Sequence, residues 1–231
     1  YNQGMTPDPL EILFEDKAIL AVNKPAGLLT IQDGYQPQLP HLYAQVVQYL
    51  GQAWIVHRLD KDTSGLVLFA KTALAHQKLS LAFEQRQVQK SYLAICLGQP
   101  PWETLNVNRP LRINVGRRHR TIVDPAHGRP ARTDCRVLER FDDCALVECS
   151  PHSGYTHQIR AHLFSVGHPI LQDPLYFSAA ASSLALPPIP RLALHAAQIR
   201  LTHPLTLQAL ALQAPTPADF LAAIQSLRQS A

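Results

Sequence analysis

The sequence predicts an α+β fold with a central mixed, mostly antiparallel sheet flanked by helices and loops. Three observations lead there. Short apolar runs bounded by Gly, Pro and polar residues, the signature of buried strands, outnumber segments with helical periodicity. Strands and helices interleave irregularly, with no repeating βαβ unit and no internal repeat. Finally, 46% of the 231 residues are apolar and 16% charged, which is enough for one domain with a substantial core.

In chain order, Leu10–Phe14 and Ala18–Val22 read as a first strand pair turning at Glu15-Asp16-Lys17. Asn23-Lys24-Pro25-Ala26-Gly27 then breaks the pattern. Residues 41–50 form a short helix. Two apolar runs, Trp54–Val56 and Leu66–Ala70, read as buried strands, joined by a tight polar connection at the edge of a sheet. Thr72 is placed to cap a helix reaching Arg86, with Ala75, Leu79, Ala82 and Phe83 as its buried stripe. Ser91–Cys96 returns to strand character. Residues 100–131, rich in Pro and Arg, read as a long excursion with little regular structure. Cys135–Leu138 and Ala145–Cys149 suggest a strand pair around Phe141-Asp142-Asp143, followed by a turn at 151–154. Thr156 is the expected cap of a helix carrying Ile159, Leu163 and Val166 on one face and ending at Gly167. Leu192–Leu201 and Leu205–Leu212 form a hairpin. A closing helix runs from Ala218 to Leu227 behind Thr216-Pro217.

Composition removes several function classes. No apolar run approaches the ~20 residues needed to span a bilayer, and no secretory signal is recognisable. Cys96, Cys135, Cys144 and Cys149 form no C-x-x-C pair, so they read as buried free thiols of a reducing compartment and the chain as a cytoplasmic protein. Nothing calls for an obligate partner, and a monomer is expected. The opening Tyr1-Asn2-Gln3-Gly4 resembles the remnant of a cleavable tag, with Met5 as the natural start. On that reading, residues 5–231 are a single domain.

The formal net charge is +4, but it is unevenly placed. Nine arginines (Arg109, Arg112, Arg117, Arg118, Arg120, Arg129, Arg132, Arg136 and Arg140) stand against Asp124, Asp134 and Glu139 alone. Lysine would serve solubility equally well, yet this stretch has none. The planar guanidinium suits phosphate and base recognition, so the segment is expected to meet a nucleic acid.

Two constellations could carry chemistry. HRLDKDTSG, residues 57–65, crowds His57, Arg58, Asp60, Lys61, Asp62, Thr63 and Ser64 into one connection between rigid strands. GYTHQIRAH, residues 154–162, puts Arg160 in the first turns of a helix beside core-facing Ile159. An arginine there can hold a carboxylate ionised. Both have plainer readings, as a structural ion pair with turn residues and as a surface salt bridge. His152, His157, His162 and His168 are spaced by five, five and six residues, which is not the i,i+4 spacing of a helical ligand pair. They read as cap or core histidines, and no metal site is expected. There is no G-x-S-x-G elbow and no phosphate-cradling glycine loop. What remains suits a cofactor-free reaction at a nucleotide, with a carboxylate as nucleophile.

HRLDKDTSGLVLFAKT resembles the signature of the RluA-type family of RNA pseudouridine synthases. EDKAILAVNKPAGLLT, KSYLAICLG, GYTHQIRAH, GHPILQDPLY and RLALHAAQIRLTHP follow the family's order along nearly the whole chain. The resemblance implies a pseudouridine-synthase-type catalytic domain without cofactor or metal. Its partner would be RNA, as a stem-loop of ribosomal or transfer RNA. Asp60 would be the nucleophile, attacking ribose C1′ or uracil C6, with Arg160 paired to it. Tyr92 would pack on the uracil with its hydroxyl as a base toward the sugar, and Ile159 would pack on the other face. Arg58 would help open the stack around a flipped uridine. His57 and Thr63, from the same motif, and Arg117, Arg118 and Arg120, from the arginine segment, complete the expected substrate contacts.

Two departures stand out. Tyr155 occupies the place of an arginine that usually follows the glycine, and Gln172 replaces a usual glycine before Asp173. No small RNA-binding domain is expected before Leu10, which leaves target choice to the catalytic domain and its arginine excursion. The rival readings are a non-catalytic RNA-binding protein with the same fold, and a nucleoside or glycoside hydrolase using Asp62 as second carboxylate.

Overall fold

The computed structural model describes residues 10–176 and 187–230, so the suspected tag remnant and Met5 lie outside the described residues. Twelve strands and four helices occur among them. The strands are β1 (Ile12–Glu15), β2 (Ile19–Lys24), β3 (Trp54–Ile55), β4 (Ser64–Ala70), β5 (Gln89–Leu97), β6 (Thr104–Asn108), β7 (Leu111–Val115), β8 (Arg120–Val123), β9 (Arg132–Arg140), β10 (Cys144–Pro151), β11 (Leu194–Thr202) and β12 (Ala209–Gln213). The helices are α1 (Leu42–Leu50), α2 (Ala73–Glu84), α3 (Gln158–Ser165) and α4 (Ala218–Ser230). The class is α+β, as the irregular interleaving predicts.

One sheet runs in the order β1-β2-β4-β11-β5-β10-β9-β6, and every pairing in it is antiparallel except β4 with β11. That parallel contact is short, matching only Ser64 with His195 and Gly65 with Ala196. Beyond it the two strands take separate partners: β3 pairs the far end of β4, and β12 pairs the far end of β11. The polar connection 56–63 opens at the start of β4, an interior strand and not an edge. Interior position explains why every residue of β4 is buried.

Side-chain alternation sorts the core. Ile19, Ala21, Leu66, Leu68 and Ala70 pack with Ala75 and Leu79 of α2, while Leu20, Val22, Val67 and Phe69 face Leu42 and Val46 of α1. A third cluster joins β5, β9 and β10 to Leu163 of α3 and Phe220, Ala223 and Ile224 of α4. Truncating one of these leucines would cost ~2–5 kcal/mol, so the strands that carry the site have little freedom. All four cysteines are buried and free, and burial pushes the Cys96 and Cys144 thiols up to about 12.

Three local expectations fail for physical reasons. The 100–131 excursion is ordered: β6 extends the main sheet alongside β9, and β7 with β8 forms a separate hairpin. One buried side chain in β6 and another in β7 give too little alternation for a sequence pattern to register. Thr156 does not cap α3. The cap position belongs to His157, whose backbone is left-handed (φ 56°) and whose side chain makes no cap bond, while the Thr156 carbonyl accepts from the Thr121 hydroxyl at 2.7 Å. Gly65 lies within β4 and does not form the turn before it. A Cβ there would fall 2.3 Å from the Ala196 carbonyl oxygen, so the glycine lets β11 approach.

Candidate active site

The 56–63 loop is fastened from three sides. Thr30 donates its hydroxyl to the Leu59 carbonyl at 2.8 Å and accepts from the Leu59 amide at 3.1 Å. The Lys61 carbonyl accepts from the Gly27 amide and from Lys24 Nζ, both at 2.9 Å. His57 Nε2 accepts from the Leu68 amide at 2.9 Å, and its ring stacks on Phe83. Burial, reinforced by the charge of Lys90, lowers the His57 pKa to about 3, so the imidazole is a neutral acceptor. Between these anchors stands Asp60, its side chain 20% exposed.

Lys24 was not anticipated as a site residue. It is completely buried, and its ammonium also donates to the Pro25 and Leu28 carbonyls at 2.8 and 2.7 Å. Burial lowers its pKa to about 7, partly offset by Asp62 and Asp60. Three carbonyls on one nitrogen tie the 24–28 turn to the Asp60 loop.

The second half of the site arrives from α3, a hundred residues downstream. Arg160, 3% exposed, donates Nη1 to Asp60 Oδ2 at 3.1 Å. Its other edge makes a bidentate pair with Asp173, Nε to Oδ2 at 2.7 Å and Nη2 to Oδ1 at 2.8 Å. The Asp173 side chain is fully enclosed, and its Oδ1 also accepts from the Leu175 and Tyr176 amides. Burial opposes the Arg160 charge, but Asp173 and then Asp60 outweigh it, and the guanidinium pKa rises. Planar, two-pronged geometry fixes the arginine on Asp173 and leaves one N–H for Asp60. His157 Nε2 comes within 3.8 Å of the same Asp60 oxygen, and burial keeps its pKa low.

Asp60, Arg58, Thr63, Tyr92, Ile159 and Arg160 line one cavity of about 380 Å³, together with His57. That volume suits a single nucleobase with part of its sugar. Tyr92, on β5, has its phenol pKa pushed up by burial and by the Asp60 carboxylate, so it stands there as a neutral phenol. Arg58 is exposed at the rim and borders a second hollow on the other side of Asp60. Arg117, Arg118 and Arg120 do not join the cavity. Arg117 and Arg118 are exposed in the β7–β8 turn, Arg118 donating to the Pro174 carbonyl at 2.7 Å. Arg120 lies over the Tyr176 ring at 4.7 Å.

The histidines are spread out. His162 bonds Thr133 and the Arg109 carbonyl, His168 bonds the Leu97 carbonyl, and His152 bonds Asp134. No group of three metal-ligating side chains occurs among the described residues.

The cavity sets the Asp60 carboxylate beside a fixed arginine and a tyrosine, and comparison with known proteins says which family holds such a site. Residues 18–165 match the family model described as RNA pseudouridylate synthase, and the chain belongs to that family. The relatives place it in the RluA-type branch. It is 40% identical over 234 residues to Ribosomal large subunit pseudouridine synthase D of Nitrosomonas europaea, covering 95% of this chain and 66% of that protein. It is 38% identical over 222 residues to Dual-specificity RNA pseudouridine synthase RluA of Salmonella typhi, covering 95% and 98%. The solved structure of Human RNA Pseudouridylate Synthase Domain Containing 4 superposes with a TM-score of 0.76 at 28% identity, covering 94% of this chain and 93% of that one.

Proposed function

We propose that this pseudouridine synthase isomerises specific uridines in ribosomal or transfer RNA, taking the flipped nucleotide into the Asp60 cavity as a monomer in the cytoplasm. The observation that carries the reading is the Arg160–Asp60 contact at 3.1 Å inside a base-sized cavity. Asp60 is the nucleophile, at ribose C1′ or uracil C6. The N1–C1′ bond breaks, the uracil turns, and a C5–C1′ bond forms; the bond to Asp60 breaks to return the carboxylate, the C5 proton leaves to water and N1 gains one. Arg160, anchored on Asp173, keeps the carboxylate aimed and compensates its charge. Tyr92 and Ile159 enclose the base, and Arg58 at the rim assists flipping. Unstacking costs a few kcal/mol and is cheapest in a loop, which favours a stem-loop substrate. One relative bears a name that specifies the ribosomal large subunit and another a name that specifies dual specificity, which supports trying ribosomal RNA first and a second RNA class beside it.

The test is release of tritium from C5-tritiated ribosomal and transfer RNA of cells lacking the protein. Wild type should release tritium to water, while Asp60→Asn should release none and bind the RNA within a few-fold of wild type. Equal release by both would remove Asp60 from the chemistry, and binding without release by wild type would overturn the reading in favour of an RNA-binding module.

A further inference from the structure

Two residues before Tyr92 on β5, and therefore on the same strand face, Lys90 also lines the cavity. Its Nζ donates to the Ser153 carbonyl at 3.0 Å, and a Cβ built on Gly154 would lie 3.7 Å from it. Among the described residues it has no carboxylate partner, unlike Lys71, which pairs with Glu15. Burial alone moves its pKa, down to about 8, so the side chain is still mostly an ammonium at neutral pH. An ammonium has three donors, and one carbonyl satisfies one of them. A cation withdrawn from water without a counter-charge is costly, which makes a site for an incoming anion the natural explanation.

We infer that Lys90 binds a phosphate oxygen of the target nucleotide's backbone, holding the sugar–phosphate while the base lies against Tyr92. The inference rests on the function proposed above. Three observations favour a phosphate over a carbonyl of the base. A phosphodiester is the only full anion a uridine in RNA offers, and an ammonium meets it as a point charge. Lys90 Nζ sits against the 153–154 turn in the cavity wall, and no hydrogen bond or ion pair joins it to Asp60. The turn it touches, at Gly154, continues into Tyr155, a neutral side chain that supplies no cation there.

The experiment compares wild type, Lys90→Met and Lys90→Arg on the same C5-tritiated ribosomal and transfer RNA. It reads KM and kcat for tritium release, and RNA affinity between 50 and 200 mM salt, on the order of the range over which phosphate contacts dominate. Methionine keeps the apolar stem and removes the charge. Lys90→Met should raise KM about ten-fold, leave kcat within about two-fold, and make the salt dependence shallower by about 0.7–0.9, the release expected from one lost phosphate contact. Lys90→Arg should restore most of the KM. A loss in kcat at unchanged KM, an unchanged salt slope, or an arginine variant no better than methionine would each overturn the assignment. If wild type itself releases no tritium, the functional reading fails, and the salt slope still decides whether Lys90 meets phosphate.

Discussion

The Asp60 loop and the arginine-bearing segment from Thr104 to Arg140 both concentrate charge, but they hold it in opposite ways. Beside Asp60, the charges of Arg160 and Asp173 are buried, oriented by several partners and shared: Arg160 serves Asp173 with two N–H groups and Asp60 with one. In the arginine segment, most charges are spent on surface neighbours. Arg112 pairs with Asp124, Arg132 with Asp134, Arg136 with Glu148 and Arg140 with Glu103. Exposed pairs of this kind are worth ~0–1 kcal/mol and orient nothing. Residue counts give the segment's charge, but only geometry shows which charges are left for a ligand.

The largest effects should therefore come from the shared arginine. Arg160→Ala leaves Asp173 buried without its partner, and Asp173→Asn leaves Arg160 half-held. Breaking a buried pair from one side should cost about 3–5 kcal/mol in denaturant unfolding. Tritium release should fall at least ~100-fold, as expected when a group aimed at the reacting atoms is lost. Arg160→Met combined with Asp173→Leu should recover stability relative to either single change and remain inactive. If Arg160→Ala released tritium at near wild-type rate, its pairing with Asp60 would be architectural only.

The two regions also differ in how much the sequence reveals. Asp60 and Arg160 are legible because motif residues crowd into a strand connection and a helix start. Their meeting is implied by the family resemblance alone, since no local pattern reports a contact between residues 100 positions apart. Asp173 reads as an ordinary loop carboxylate, and no local pattern reports that its side chain is wholly enclosed. Lys24 precedes Pro-Ala-Gly and reads as a solvated turn lysine; only the stacking of the 24–28 turn on the Asp60 loop buries it. In the arginine segment the failure is one of pattern. β6 to β8 bury so few side chains that proline and arginine dominate the string, although the backbone pairs regularly with β9 or within the hairpin. His157 in place of Thr156 at the head of α3 reflects tertiary bonding: Gln158 accepts from Ser153 and Tyr155 and donates to the Arg132 carbonyl, which sets where the helix begins.

Within the arginine segment the comparison can be sharpened one residue at a time. Arg117 is exposed and Arg118 is tethered only to a carbonyl, so both keep charge to offer. Replacing either with glutamine should weaken RNA binding about equally across sequences and lower the salt slope by about 0.7–0.9 each. Arg120, stacked over Tyr176, and Arg136, paired with Glu148, should change the slope much less. A slope that fell equally for all four would mean the whole segment faces the RNA as one patch.

The smallest effect concerns acid. His57 has its pKa lowered from 6.5 to about 3 because it is buried as the acceptor of the Leu68 amide. Between those values the unfolded chain binds a proton that the folded chain refuses, so stability rises with pH through the window and is flat above it. Lowering the pH from 7.5 to 5 should therefore remove about 1–2 kcal/mol through this one ring. His57→Gln keeps an acceptor for the amide but cannot take up the proton. In urea unfolding at the two pH values, the variant should lose less stability than wild type. Equal acid losses in the two proteins would mean that the ring is reached by water and protonated without disturbing β4. The Asp60 loop would then be fastened through Thr30 and Lys24 alone. The arginine segment should be indifferent to the same change, because its guanidinium groups stay charged throughout and its exposed pairs contribute so little to folding.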